Sequence, residues 1–239
     1  MLVGGNTAKG VNPIDDYPST LIDINAVPEL KVVELDQNLI VGAGLPLTDF
    51  LNVLKDYGQK VNFEYLQKVH DHVSMIAHIA VRNVGTIAGN LMIKHTTNSF
   101  QSDLFLLLET VGAQTTIVDR DYSIQTVTMQ EFLLLNMQGK VIVNILIPPL
   151  NAQEHHLLSF KIMSRSQSTH AIVNAGFLYK LTNENIVKEC RIVYGALSSN
   201  FIRASSTEAY LVGKSLFTNE TLQGAIQVLE AELVIEERP

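Results

Sequence analysis

The pattern of apolar and polar positions in the first part of the chain predicts a β-hairpin. Two short runs of β-type residues, 31–35 and 39–43, flank the polar segment Asp36-Gln37-Asn38. Aspartate and asparagine favour turns because their side chains hydrogen-bond to nearby backbone groups. A strand, a turn and a second strand are therefore expected over residues 31–43.

A helix is predicted directly after the hairpin. Leu47, Leu51 and Leu54 are separated by four and three residues, which places them on one helical face. Thr48 is the expected N-cap, because its hydroxyl can accept a hydrogen bond from a backbone N–H of the first turn. Gly58 is expected to end the helix in the left-handed conformation.

Apolar periodicity continues through the rest of the first half. A single helix is predicted over 63–79, and a glycine-rich loop over 82–90 is expected to follow it. The buried face of that helix would carry Leu66, Val69, Val73 and Ile76. The remaining predicted elements are an apolar helix over 103–110 and strands over 114–118 and 141–147.

The second half predicts strands followed by helices, which is typical of an α+β layer. Pro148-Pro149 ends the preceding strand, because proline has no N–H for a strand ladder, and we place a domain boundary there. The expected domains are residues 1–149 and 154–239. The predicted strands cover 158–163, 171–181 and 187–197, and the predicted helices cover 204–212 and 218–235.

Composition and charge exclude several classes of function. The 239 residues include 17 Lys and Arg against 24 Asp and Glu, and this net charge of −7 does not favour nucleic-acid binding. The single cysteine, Cys190, cannot form an internal disulfide, a thiolate zinc site or an iron–sulfur cluster. The N-terminus has no signal-peptide pattern and no apolar run reaches the roughly 20 residues of a membrane span, so we expect a cytoplasmic protein.

Neither a metal site nor a catalytic nucleophile is predicted. His70 and His72 lie on nearly opposite sides of a predicted helix, and His155-His156 is expected in a polar linker. Cys190 falls in a strand pattern and is interpreted as a small buried side chain. The chain also has no Gly-x-Ser-x-Gly elbow. No side chain is therefore assigned as a catalytic acid, base or nucleophile.

Two glycine-rich loops carry the best candidate chemistry. The first, 4–10, combines accessible backbone N–H groups with polar side chains and one lysine, which suits a diphosphate. The second, 85–90, repeats this chemistry with Thr86 and Asn90. Neither loop has the P-loop sequence, and residues 42–46 lack the dinucleotide fingerprint. On glycine content alone, two tight surface turns remain the alternative to anion binding.

The two loops together resemble the pair of FAD-binding loops in the xanthine dehydrogenase and aldehyde oxidase family. The matching segments are Leu2-Val3-Gly4-Gly5-Asn6-Thr7-Ala8-Lys9-Gly10-Val11 and Val81-Arg82-Asn83-Val84-Gly85-Thr86-Ile87-Ala88-Gly89-Asn90-Leu91. Residues 159–165, 170–171 and 174–177 resemble the start of the family's flavoprotein C-terminal domain, and residues 194–196 resemble its later strand. With Lys94-His95 after the second loop, the chain is most similar to insect aldehyde oxidases.

The resemblance implies a fold for the whole chain. Residues 1–149 would form an FAD-binding domain of the vanillyl-alcohol-oxidase-like (PCMH) type. Residues 154–239 would form an α+β flavoprotein C-terminal domain, with an antiparallel sheet and helices. The first domain would lack its opening strand and helix and the second its C-terminal end, so we expect Leu2 and Val3 to have little backbone pairing.

The resemblance also implies an FAD site built from both domains. The diphosphate would be surrounded by Leu2, Val3, Gly4, Gly5, Asn6, Thr7, Ala8 and Lys9. Further contacts would come from Thr86, Asn90 and Asp103, and Ile142 and Lys161 would lie near the flavin. Ile76 occupies a position that is aromatic in xanthine dehydrogenases and aliphatic in aldehyde oxidases.

The implied function is an FAD-binding electron-transfer module of an aldehyde oxidase-like molybdo-flavoenzyme. Family members carry iron–sulfur domains before this module and a molybdopterin domain after it. Electrons would pass from the iron–sulfur clusters to FAD and then to dioxygen, in an enzyme that is a homodimer when full length. The isolated chain is not expected to turn over aldehyde. The alternatives are a non-catalytic remnant that keeps the fold but binds no flavin, and an unrelated small-molecule binding protein.

Overall fold

A computed structural model of the protein describes residues 1–10, 18–166, 168–233 and 235. Within those residues, helices lie between a five-stranded sheet and a four-stranded sheet, and a small parallel strand pair lies at the N-terminus. The predicted loop residue Val11 and the last residues of the expected second domain fall outside the described part of the chain.

The N-terminal strand pair corrects one expectation. Strand β1 (Leu2–Val3) pairs in parallel with β2 (Ile22–Asp23). The N–H of Ile22 donates to the carbonyl of Met1 at 2.9 Å, and the N–H of Ile24 donates to that of Val3 at 3.0 Å. The expectation that Leu2 and Val3 have little backbone pairing is therefore wrong, because a later segment supplies the partner strand.

The five-stranded sheet is antiparallel throughout, in the order β3-β4-β7-β5-β6. Its strands are β3 (Val33–Leu35), β4 (Leu39–Gly42), β5 (Gln114–Val118), β6 (Ile124–Thr128) and β7 (Val141–Ile147). The predicted hairpin is confirmed, although Lys31 belongs to a 3-10 turn before it. The strands predicted over 114–118 and 141–147 have the observed bounds.

Six helices accompany this sheet in the described residues. They are α1 (Leu47–Tyr57), α2 (Leu66–Ser74), α3 (Ile79–Arg82), α4 (Ile87–Thr96), α5 (Asp103–Val111) and α6 (Met129–Leu134). Every residue of α5 is buried, so this helix forms the centre of the hydrophobic core. No helix among the described residues is both long and apolar enough to cross a membrane.

Several predicted details of these helices are wrong. Thr48 lies inside α1, where its hydroxyl donates to Asn83 Oδ1 at 2.7 Å instead of capping the helix. Gly58 has a φ of −62°, so it is not left-handed. The predicted helix over 63–79 divides into α2 and α3, because Ala77 adopts a φ of +50° that interrupts the helical backbone.

The C-terminal sheet is also antiparallel, in the order β11-β10-β9-β8. Its elements are β8 (His155–Ile162), β9 (Val173–Leu181), β10 (Val187–Gly195), β11 (Ile202–Arg203), α7 (Ser205–Leu211) and α8 (Asn219–Glu232). The pair His155-His156 therefore lies in a strand, not in a linker. Helix α8 ends at Glu232, before the predicted end at Ile235, and residue 234 lies outside the described part.

One face of the C-terminal sheet packs directly on α5. Leu157, Leu178 and Val193 from this sheet belong to the same hydrophobic cluster as the residues of α5. Gly176 on β9 allows the close approach, because a Cβ there would lie 2.1 Å from Thr110 Oγ1. This packing places β8 and β9 beside the N-terminal end of α5, where the candidate site is found.

Candidate functional site

The two glycine-rich loops lie against each other. A Cβ on Gly5 would lie 1.7 Å from the carbonyl oxygen of Val84, and a Cβ on Gly85 would lie 3.3 Å from Thr7 Oγ1. A Cβ on Gly4 would lie 3.3 Å from Thr86 Cγ2. The absence of side chains at Gly4 and Gly5 thus lets the first loop reach the second. The loops form one surface, which we call the loop pair (residues 4–10 and 84–90).

The first loop offers backbone donors. The N–H groups of Gly4 and Gly5 donate to no residue that the structure describes, and both residues are half-buried. Unpaired N–H groups on adjacent residues form a concave donor set that suits an anion such as a diphosphate. Lys9, an exposed cation in the 3-10 turn Thr7–Gly10, adds positive charge beside them.

The second loop differs from the prediction, because most of it begins a helix. Thr86 is the N-cap of α4, and its Oγ1 accepts a hydrogen bond from the N–H of Gly89 at 3.0 Å. The N–H groups of Ile87 and Ala88 donate to the carbonyls of Leu45 and Ala43. These two N–H groups are already bonded within the protein, which leaves the N–H of Thr86 and side-chain groups as donors to an anion.

Asn90 is one such side-chain group, and it is tied to the start of α5. Ser102 Oγ donates to Asn90 Oδ1 at 2.5 Å and accepts from the N–H of Phe105 at 2.9 Å, which makes Ser102 the N-cap of α5. The amide nitrogen of Asn90 then has no hydrogen-bond partner among the described residues. The Ser102 bond thus ties Asn90 to the start of α5, whose first residue is Asp103.

Asp103 and Lys161 form a buried ion pair between the two halves of the chain. Lys161 Nζ lies 2.7 Å from Asp103 Oδ2, and their side chains are 1% and 6% exposed. Burial alone would raise the pKa of Asp103, but the His72 hydrogen bond and the Lys161 charge outweigh it and lower the pKa from its ordinary value. Asp103 is therefore an ionised carboxylate that neutralises the lysine.

Lys161 also reaches the turn that carries Ile76. Its ammonium donates to the carbonyl of Met75 at 3.2 Å. From the other side, the guanidinium of Arg82 donates to the carbonyls of Ile76 at 2.7 Å and Ala77 at 3.3 Å. Two cations thus hold a turn whose backbone is left-handed at Ala77. These bonds bring Ile76, Asp103 and Lys161 into one cluster.

Two further members of this cluster were not predicted from the sequence. Asn174 Nδ2 donates to Asp103 Oδ1 at 2.7 Å, and His72 Nε2 lies 3.4 Å from the same oxygen. Both side chains are buried. The sequence signal for Asn174 is a polar residue between the apolar Val173 and Ala175, whereas His72, which follows Asp71, carries no such signal. That signal indicates burial but does not identify the partner.

Ile142 takes no part in these polar contacts. It lies on β7 and belongs, with Ile76, to the main hydrophobic cluster. Both are aliphatic side chains in the core, and a contact of either with a flavin stays a prediction. The remaining predicted residues, Leu2, Val3, Asn6 and Ala8, lie in or beside the loop pair.

Two cavities elsewhere in the described residues contain none of the predicted FAD residues. No group of three or more His, Cys, Asp or Glu side chains in the described residues could hold a metal ion. A shallow cavity of about 310 Å³ lies at the turns around β6 and contains none of the predicted FAD residues. Its lining is Asp119, Arg120, Asp121, Asn136, Gln138, Gly139 and Lys140.

Comparisons with known families match nearly the whole chain. Residues 1–150 match the family described as "FAD binding domain in molybdopterin dehydrogenase". Residues 158–239 match the "CO dehydrogenase flavoprotein C-terminal domain". The predicted resemblance and fold class are thereby confirmed at the level of these two domains.

Curated relatives are aldehyde oxidases. An indole-3-acetaldehyde oxidase of Arabidopsis thaliana is 28% identical over 247 residues, covering 99% of this chain and 18% of its own length. An indole-3-acetaldehyde oxidase of Zea mays is 28% identical, covering 96% of this chain and 17% of its own length. The chain thus spans less than a fifth of these relatives. Both are plant enzymes, and the similarity to insect aldehyde oxidases stays a prediction.

Solved structures share the fold. The carbon monoxide dehydrogenase of Hydrogenophaga pseudoflava that lacks the Mo-pyranopterin moiety of its cofactor has a TM-score of 0.82 and 25% identity. That match covers 100% of this chain and 80% of the matched chain. Quinoline 2-oxidoreductase from Pseudomonas putida 86 has a TM-score of 0.79 at 22% identity, covering 99% and 80%.

Proposed function

The chain belongs to the family of FAD-binding domains in molybdopterin dehydrogenases, and we propose that it binds FAD as the electron-transfer module of an aldehyde oxidase-like enzyme. One observation carries the proposal. The loop pair presents the unpaired N–H groups of Gly4 and Gly5, and Asn90 of the second loop is hydrogen-bonded to Ser102, next to the buried Asp103–Lys161 ion pair. Adjacent backbone donors suit the diphosphate of FAD, and the ion pair holds an ammonium beside the turn that carries Ile76.

In this proposal the loop pair holds the diphosphate. The N–H groups of Gly4 and Gly5 donate to phosphate oxygens, and Thr86 and Asn90 add side-chain donors from the second loop. Lys9 balances part of the negative charge. Charge-assisted hydrogen bonds of this kind are stronger than bonds between neutral groups, so a few donors suffice for tight binding.

The second part of the proposed site holds the flavin. FAD supplies the redox chemistry when it is bound, and the protein supplies position and electrostatics. The Lys161 ammonium is fixed between the Asp103 carboxylate and the Met75 carbonyl. Ile76 and Ile142 would exclude water from the ring with aliphatic side chains. No residue of this chain acts as a catalytic acid or base.

The same proposal places the chain in a larger enzyme. Iron–sulfur and molybdopterin domains would lie outside residues 1–239, electrons would arrive from the iron–sulfur clusters, and dioxygen would accept them. The full-length enzyme would be a cytoplasmic homodimer. Residues 1–149 would form the FAD-binding domain and residues 154–239 the flavoprotein C-terminal domain.

Flavin binding by the purified 239-residue chain tests the proposal. We expect added FAD to lose fluorescence on titration and to acquire a protein-bound visible spectrum. Lys161→Met should weaken binding, because it removes the buried cation. Lys188→Met is the matched control, since Lys188 lies in the same domain and forms a half-exposed pair with Glu154. A folded chain that binds no FAD would contradict the proposal and favour the remnant without flavin.

A further inference from the structure

Asp103 has more partners than its ion pair requires. Its Oδ2 oxygen lies against Lys161 Nζ, whereas its Oδ1 oxygen accepts from Asn174 Nδ2 at 2.7 Å and faces His72 Nε2 at 3.4 Å. The His72 ring donates to Oδ1 when its Nε2 carries a proton. Each carboxylate oxygen thus has its own donors, so the carboxylate cannot rotate without breaking one of these contacts.

The four side chains come from four elements of the fold. His72 and Asp103 lie on α2 and α5, and Lys161 and Asn174 lie on β8 and β9 of the C-terminal sheet. The first half of the chain therefore supplies the carboxylate, and the second half supplies the cation and an amide. The orientation of Asp103 depends on how the C-terminal sheet packs against α5.

We propose that Asn174 and His72 are positioning residues for flavin binding, which act through Asp103 and never touch the cofactor. They hold Oδ1 so that Oδ2 faces Lys161, and this keeps the ammonium between Asp103 and the Met75 carbonyl beside Ile76. The inference rests on the proposed function, because it assigns these residues a role in the same site.

The hydrogen bonding of the two residues argues against a purely structural role. Asn174 is 0% exposed, yet its Oδ1 has no hydrogen-bond partner in the described structure, and neither does His72 Nδ1. Burying such atoms is unfavourable, and apolar side chains of similar size would pack without that cost. In each of these two side chains one polar atom has no partner and the other faces Asp103. The contact with Asp103 therefore explains why polar residues occupy these buried positions.

The test measures FAD affinity and the reduction potential of the bound flavin in the 239-residue chain. We expect Asn174→Ala to weaken FAD binding about tenfold or more, because hydrogen bonds to charged groups carry energies of that order. His72→Leu should weaken binding in the same direction. His72→Gln should recover much of it, since the glutamine amide can donate to Oδ1. The flavin potential should shift in Asn174→Ala, because the lysine charge moves.

Thr207→Val is the matched control. Thr207 is a buried polar residue of the C-terminal half, and its hydroxyl donates to the Glu232 carboxylate at 2.9 Å, away from Asp103. We expect this variant to lose stability without losing FAD affinity. If Thr207→Val weakens FAD binding as much as Asn174→Ala does, general destabilisation explains both and the inference is wrong.

The outcomes separate this inference from the proposed function. A wild-type chain that binds no FAD overturns both. A wild-type chain that binds FAD, with equal affinity and potential in Asn174→Ala, overturns the positioning role alone. If Asn174→Ala does not fold, the two His72 variants test the positioning role. Equal FAD affinity of the His72→Leu and His72→Gln proteins then counts against the inference.

Discussion

Gly5 lies so close to Val84 that a Cβ on the glycine would be 1.7 Å from the carbonyl oxygen of Val84. The clashing atoms are backbone, so a side chain at position 5 must push the second loop away. From the sequence, Gly5 is predicted to give a phosphate access to the backbone. The structure adds a different requirement, which is contact between the two glycine-rich loops.

The first prediction concerns Gly5→Ala. We expect this change to lower the free energy of unfolding by about 1–3 kcal/mol, in the range of overpacked substitutions, and to weaken FAD binding because the loop pair separates. Gly10→Ala is the control, since a Cβ at Gly10 would meet no atom of the described residues within 4 Å. Urea unfolding of the apo protein and an FAD titration measure the two effects. Wild-type stability in Gly5→Ala would show that the loops are not in this contact.

The second prediction concerns Asp103→Asn. The change leaves Lys161 charged and buried without its carboxylate, and breaking a buried pair in this way costs about 3–5 kcal/mol. Glu154→Gln, in the half-exposed pair with Lys188, should cost about 0–1 kcal/mol. Urea unfolding at pH 7 compares the two. A loss in Asp103→Asn no larger than in Glu154→Gln would contradict the buried ion pair.

Asp103 also predicts a pH dependence with a definite sign. Its pKa in the folded protein is lowered from the ordinary value of 3.8, so folding favours the ionised form. The resulting stabilisation is fully present above the unfolded pKa and is lost as the pH falls through the lower folded pKa. The difference in unfolding free energy between wild type and Asp103→Asn should therefore shrink below about pH 4. A difference that stays constant during acidification would contradict this.

The local pattern of apolar and polar residues was sufficient to predict much of the fold. The strands over 114–118 and 141–147 were predicted with the observed bounds, because β-branched residues run there between clear turn signals. Helix α4 was missed, since Gly89 and Asn90 disfavour a helix. Its first turn is stabilised by carbonyls of residues 43 and 45, which are distant in sequence.

From the sequence, only those residues of the candidate site that belong to a recognised motif could be predicted. Asp103 and Lys161 followed from the resemblance, and the structure brings them to 2.7 Å. Asn174 and His72 are 71 and 31 residues from Asp103 in sequence. A local sequence pattern cannot predict contacts between residues so far apart in the chain. Thr48 shows the same limit, because its partner Asn83 is 35 residues away. Long-range pairing of polar side chains is decided by the packing of elements.

The next prediction is that the isolated chain does not reduce its own flavin with aldehydes. One cysteine cannot ligate the iron–sulfur clusters that would deliver electrons. We expect no bleaching of bound FAD when an aldehyde is added anaerobically. Dithionite should reduce the same sample, and this control shows that the flavin is accessible to electrons. Aldehyde-dependent bleaching would mean that the chain contains a route that we have not identified.

The last prediction concerns Lys94, which is 0% exposed and belongs to no ion pair in the described structure. Its ammonium donates to the carbonyl of Asn98 at 2.5 Å and lies 4.6 Å from the centre of the Phe201 ring. Burial lowers its pKa from 10.5 to about 8, because the charged form is poorly solvated there. The folded chain therefore releases this proton at a lower pH than the unfolded chain does.

The lower pKa of Lys94 in the folded chain changes the free energy of unfolding in one direction. Between about pH 8 and 10.5 the unfolded chain binds more protons at Lys94, so the folded state gains stability as the pH rises. Lys94→Met cannot titrate. The stability of wild type relative to Lys94→Met should thus rise by on the order of 3 kcal/mol between pH 7 and 10.5. Lys188→Met, at a half-exposed lysine, should show no comparable change. Urea unfolding at several pH values measures all three proteins, and a wild-type advantage that stays constant or falls with pH would contradict the lowered pKa of Lys94.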